Sequence, residues 1–110
     1  MLFCNREVTM RVLFHPTKEQ FQLSRIFQAL SDPIRLEILK RLDTQISCAC
    51  HELEIDLPKP RLSHHYKTLR ESGLIRVTVQ GKYHYLTIRR EELDEVFPGL
   101  IDSVLRNIEV

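Results

Sequence analysis

Two clusters in this chain carry residue types that can do chemistry. The first is Cys48-Ala49-Cys50, two thiols separated by one residue. Thiolates bind soft metals and arsenic(III), and a CxC pair at a helix start can direct both sulfurs to one ion. His51, Glu52 or Cys4 could complete such a site. Redox chemistry is a second use of the pair. The third reading is structural: on a helix, neighbours at i and i+2 point to different sides, so one thiol packs in the core and the other is partly exposed.

The second cluster is Lys59, Arg61, Ser63, His64, His65 and Lys67. Arginine can give a bidentate pair to guanine, serine and histidine can donate to bases or phosphates, and lysines bind the phosphate backbone with strong salt dependence. His64 and His65 as joint metal ligands are disfavoured, since adjacent helical residues diverge by about 100°. Lys82, with Arg76 and His84 nearby, extends the cluster toward the C-terminus. Charge is concentrated to match. Residues 59–90 hold 8 basic and 1 acidic groups and three of the five histidines, whereas residues 1–58 hold 7 and 8, and residues 91–110 hold 1 and 6. A net charge of +1 therefore conceals a basic block suited to a polyanion. The plain alternative is a solvated charged face.

These residues need elements to hold them. Residues 1–16 read as an arm, with short strand-like alternation ending at Pro16, and Met10 is an alternative start that would remove Cys4. Thr17 can cap a helix running to about Leu30, in which Phe21, Ile26, Phe27 and Leu30 recur at three- to five-residue spacings. Ser31-Asp32-Pro33 is a fresh helix start, followed by Ile34, Ile38, Leu39 and Leu42. A short helix fits Ser47 to Glu54, and the prolines of Asp56-Leu57-Pro58-Lys59-Pro60 make a turn. The next helix runs from about Pro60 to Ser72. It sets Leu62, Tyr66 and Leu69 on one face and Arg61, His64, Lys67 and Thr68 on the other, with Gly73 as its left-handed terminus. Ile75–Val79 and Tyr83–Ile88 form a hairpin around Gly81. Leu93, Val96, Phe97, Leu100, Ile101, Val104, Leu105 and Ile108 continue a helical period that Pro98-Gly99 splits in two.

That order, mostly α with a small β-hairpin, is a winged helix-turn-helix. A recognition helix must present donors from its first turns while its far side docks on the domain, and the basic helix does both. FQALSDPIRLEILKRL, RLSHHYKTLRESGLI and VQGKYHYLTI together resemble the ArsR/SmtB family of winged-helix repressors, across roughly residues 20 to 105. The resemblance implies a homodimeric repressor that binds double-stranded operator DNA and releases it on sensing an effector. It places Ser63 and His65 at the family's DNA-contacting S-x-H, and Gln80 to Lys82 at the wing tip. It also implies that Cys48 and Cys50 sit where the family's arsenic, cadmium and lead sensors carry their CxC. Tyr66 departs from the usual leucine, Pro58 and Pro60 replace a serine-rich helix start, and Leu53 stands where a third cysteine would be.

Composition narrows the alternatives. A chain of 110 residues and 13.0 kDa suits one domain, here residues 17–110 for DNA binding and dimerisation. With three glycines and no GxGxxG or GxxxxGK[ST] run, nucleotide enzymes are poorly supported, and no nucleophile, base and orienting group recur at a spacing that suggests catalysis. No apolar run approaches the roughly 20 residues of a membrane span, and no export signal is evident, so a cytoplasmic location is expected. The rival reading of the fold is a winged-helix protein-interaction module that binds no operator.

Overall fold

The computed structural model describes residues 13–44, the backbone of Cys48 and Ala49, and residues 53–108. Cys4, Cys50, His51 and Glu52 lie outside the described residues, as does most of the arm.

Thr17 starts a single 3-10 turn, Lys18–Gln20, rather than a long helix. The Gln20 amide donates to the Thr17 carbonyl at 2.9 Å, and the Thr17 amide donates to Gln20 Oε1 at 2.9 Å. Phe21 and Gln22 are extended, so α1 covers only Leu23–Leu30. The break lets the half-buried Phe21 turn onto the body, where its ring centroid lies 5.0 Å from the Arg89 guanidinium carbon. Helix α2, Pro33–Asp43, begins as its sequence requires: Asp32 Oδ1 accepts from the amides of Ile34 (2.8 Å) and Arg35 (3.4 Å), with Pro33 in the first turn.

The helix expected over Ser47–Glu54 is not what forms at its start. Cys48–Ala49 is a short strand, β1, antiparallel to β3 with Cys48 opposite Leu86 and Ala49 opposite Tyr85. Pairing there satisfies backbone groups along one side of β3 that a helix would leave unmatched. Leu53 is buried and Glu54 adopts φ 55, so the chain turns sharply before α3. Helix α3 spans Lys59–Ser72 and ends on Gly73 at φ 97. Strands β2, Ile75–Gln80, and β3, Tyr83–Ile88, form the hairpin, Gly81 taking φ 60 in its two-residue turn. The sheet order is β1-β3-β2. Helices α4, Arg90–Val96, and α5, Leu100–Asn107, are separated at Pro98-Gly99.

The core is one cluster drawn from every layer: Ile26 and Ala29 of α1, Ile38, Leu39 and Leu42 of α2, Leu69 of α3, Val77 and Leu86 of the hairpin, and Leu93, Ile101 and Leu105 from the last helices. α1 does not bury all of its apolar residues. Ile26 is buried, but Phe27 is 52% and Leu23 42% exposed, on a face turned away from this core. Among the described residues, no helix is long and apolar enough to cross a membrane.

Candidate nucleic-acid interface

Helix α3 is the element that organises the basic cluster. Pro58 precedes it and Pro60 lies in its first turn, which costs no intrahelical bond because the first amides have no partner there. The amides of Arg61 and Leu62 donate back to the Pro58 carbonyl at 3.0 and 3.1 Å, fixing the start. At about 100° per residue, Leu69, Ser72 and His65 define the buried side, and Lys59, Ser63, His64 and Lys67 lie exposed on the opposite one. Arg61 is exposed toward the α1 edge of that face.

The hairpin stands beside this face. An open groove of about 330 Å³ separates Lys59, Ser63 and Tyr66 of α3 from Lys82, Tyr83 and His84 of the wing. Lys82 Nζ lies 5.4 Å from the centroid of the Tyr83 ring, a cation–π contact that steadies the cation at the tip without neutralising it. Gln80 is the exposed last residue of β2, paired with Tyr83 across the turn. Five of the expected contact residues of α3 and two of the wing are thus brought to one surface.

Two expected contact residues are elsewhere. His65 is 8% exposed, beneath the reading face rather than on it. Its Nδ1 lies 3.2 Å from an Arg35 terminal nitrogen. Guanidinium has no acceptor, so Nδ1 is the acceptor and the imidazole is neutral, with its proton on Nε2. Arg35 also donates from Nε to the Ala29 carbonyl at 2.7 Å and from its other terminal nitrogen to the Gln28 carbonyl at 3.3 Å. One guanidinium thereby joins the end of α1, the start of α2 and the underside of α3. Burial lowers the His65 pKa; Asp32 pulls it up, but Arg35, His64 and Arg61 push it down again, and it stays below the ordinary value. Burial would raise the Asp32 pKa, yet the amides of Ile34 and Arg35, with the Arg35 guanidinium, hold it low.

Arg76 is the second. It extends from β2 to Glu92 of α4 at 3.2 Å, at the base of the wing and away from its tip. There it joins Arg89, which is 6% exposed and donates to Glu92 at 2.7 Å and to the Pro16 carbonyl at 2.7 Å. The hydrogen bond from Arg89 holds the Glu92 pKa down. The end of the expected arm docks here too: the Val77 amide donates to His15 Nε2 at 3.0 Å, and His15 Nδ1 donates to the Leu13 carbonyl at 3.0 Å. Burial lowers the His15 pKa, the Leu13 bond opposes it, and Arg76, Arg70 and Arg89 add to the lowering.

Sequence reasoning missed Arg89 as an internal cation and Tyr83 as a wall of the groove. For Tyr83 there was a signal, an aromatic next to the turn lysine. For Arg89 there was none, because Arg89 and Arg90 are adjacent and only packing distinguishes them. Of Cys48 only the backbone is described, and it is extended. Helical splaying of neighbouring side chains is therefore absent at Cys48-Ala49.

Comparison with known proteins agrees with this geometry. Residues 32–77 match the model for "Bacterial regulatory protein, arsR family". The chain is 41% identical over 80 residues to the arsenical resistance operon repressor of Staphylococcus xylosus, covering 72% of this chain and 77% of that one. It is 38% identical to the Staphylococcus aureus protein of the same name over the same shares. The chain belongs to the arsR family of bacterial regulatory proteins. A crystal structure of an ArsR family transcriptional regulator superposes with a TM-score of 0.62 at 34% identity, covering 74% of this chain and 90% of that one. The winged-helix architecture expected from the sequence is the arsR-family fold, and the function that goes with it is DNA-binding transcriptional regulation, not catalysis. The arsR-family match begins at Asp32, the cap of α2, and ends in β2, so it contains the whole of α3.

Proposed function

We propose that this chain is a homodimeric cytoplasmic repressor that seats α3 of each protomer in a major groove of operator DNA. The observation that carries this reading is the exposed row Lys59, Ser63, His64 and Lys67 beside a wing tip bearing Gln80 and Lys82. Arg61, Ser63 and His64 meet base edges or adjacent phosphates, and Lys59, Lys67 and Lys82 meet the backbone. Residues 17–110 act as the DNA-binding and dimerisation domain, with residues 1–16 as its arm. Anisotropy titrations of duplex DNA test it: Arg61→Ala should lose roughly 1–3 kcal/mol on a selected site, whereas Lys82→Ala should weaken all sequences alike and lower the salt slope by about 1. Wild-type affinity and slope in both variants would rule out this use of α3 and the wing, and would favour a protein-interaction module.

The dimer uses α1 and the last helix. Leu23 and Phe27 are exposed on α1, and Leu100, Val104 and Ile108 of the α5 segment are only half-buried. One winged helix reads too few base pairs for an operator, and a two-fold pair reads two half-sites. Sedimentation at micromolar concentration should show a species twice 13.0 kDa, and a purely monomeric boundary would reject the dimer.

For the effector, the names of the staphylococcal relatives favour a thiophile such as arsenic(III), with Cys48 and Cys50 supplying thiolate sulfur. Cys48 lies on the strand paired with β3 of the wing, so a ligand held there acts one strand away from Lys82. A hundredfold loss of operator affinity requires about 2.7 kcal/mol of preference for the DNA-incompetent state. Cys48→Ser with Cys50→Ser should still repress but ignore arsenite, and a double variant that responds like wild type would remove the pair from sensing.

A further inference from the structure

Nine arginines fall among the described residues, and seven of them are committed. Arg35, Arg41, Arg70, Arg76, Arg89, Arg90 and Arg106 each donate to a carboxylate or a backbone carbonyl. Arg25 and Arg61 do neither, and both are exposed. Arg61 belongs to the edge of α3 that turns toward α1, and Arg25 stands on α1 across from that edge. Arg61, His64 and Thr68 follow one another at i, i+3 and i+7 along the side facing α1, and Arg25 faces His64 and Thr68 across a recess of about 380 Å³ that Gln28 also lines.

The recess has the donor set of an anion site: a guanidinium with unused N–H groups, an imidazole, a hydroxyl and a carboxamide. Its place relative to α3 says which anion. A helix about 10–12 Å across fills a major groove about 12 Å wide, so a sugar–phosphate strand runs along each of its sides. The wing, with Lys82, stands over one side of α3, and the recess opens on the other. We propose that Arg25 and Gln28 of α1, with His64 and Thr68 of α3, form a second phosphate-binding edge that takes the DNA strand opposite the wing. This rests on α3 entering the major groove, and it gives α1 a DNA-binding role beside its part in the dimer. The two roles use different faces: at about 100° per residue, Arg25 and Gln28 lie on the opposite side of α1 from Leu23 and Phe27. Glu71, the carboxylate that also lines the recess, sits on α3 at i+3 from Thr68 and opposes an incoming phosphate.

The test is a fluorescence anisotropy titration of the full chain onto a duplex selected by wild type from a random pool, and onto a mixed-sequence duplex. Salt runs from about 50 to about 200 mM. Arg25→Ala should weaken both duplexes by the same factor and lower the salt slope by about 0.9, so that the affinity lost across that range shrinks about threefold. Arg25→Lys should restore the slope, and Glu71→Gln should tighten binding to both duplexes, a gain that a structural role for the recess would not produce. Sedimentation of Arg25→Ala should still give the wild-type oligomer. If Arg25→Ala keeps the wild-type slope while Lys67→Ala lowers it, α3 reads DNA but the second edge is wrong. If neither variant changes the slope, the placement of α3 in the groove fails and the second edge falls with it.

Discussion

The basic residues at the base of the wing and those along the exposed side of α3 come from the same positively charged stretch, yet they are chemically opposite. At the base, Arg89 is enclosed between Glu92, the Pro16 carbonyl and the Phe21 ring, and Arg70 and Arg76 are engaged by the Phe14 carbonyl and Glu92. Along α3, Lys59, Arg61 and Lys67 are exposed with no ion pair among the described residues, and at the wing tip Lys82 only rests on Tyr83. Cations that have satisfied their donors internally hold a fold together, and cations left with unused donors are ready for phosphate. Net charge along the sequence counts both kinds equally, and so overstates the interface.

The sharpest way to break this comparison is at Arg89. Removing a buried cation leaves the Pro16 carbonyl without its donor and Glu92 with Arg76 alone, and because Glu92 is one-third exposed the cost is set below that of a fully buried pair. Arg89→Ala should lose roughly 2–3 kcal/mol in urea unfolding while its folded fraction binds DNA with the wild-type salt slope. A changed slope would mean that the base is part of the interface. Gly73→Ala probes the same region: φ 97 is unfavourable for alanine, and the added Cβ would collide with the Phe21 ring that stacks on Arg89. A loss of about 2 kcal/mol is expected, again in stability and not in DNA contacts.

Acid should act on both regions next. The pKa values of His15, at the base, and His65, under α3, are both lowered. The unfolded chain therefore takes up protons below about pH 6.5 that the folded chain resists, and stability is full above that pH and falls as pH drops through the depressed values. The urea midpoint should be lower at about pH 5.5 than at about pH 7.5, and His15→Gln and His65→Gln should each flatten the difference. A midpoint that does not move would show that neither imidazole is held neutral. The smallest effect is expected at Arg76, whose pair with Glu92 is partly open to solvent. Arg76→Ala should cost no more than about 1 kcal/mol of stability and leave the salt slope unchanged; a slope lowered by about 1 would return Arg76 to the DNA interface.

Much of this molecule is legible in its sequence because the signals act within a few residues. Asp32-Pro33 starts α2, Gly73 ends α3, Gly81 turns the hairpin, and Pro98-Gly99 parts α4 from α5; each is a demand of the local backbone that one or two side chains meet. The candidate interface was legible for the same reason: helical spacing alone puts Ser63, His64 and Lys67 on one side of α3. What needed the tertiary structure depends on partners distant in the chain. Cys48–Ala49 is a strand because Tyr85 and Leu86 offer it backbone groups to pair with. The helix expected from Thr17 breaks at Phe21 where that ring meets Arg89. Two adjacent histidines part, His64 to the surface and His65 to Arg35, and two adjacent arginines part likewise, Arg89 to the interior and Arg90 to Asp43. Residue type and spacing state which contacts a side chain is able to make; only packing, which brings segments far apart in sequence to within hydrogen-bonding distance, decides which of them it makes.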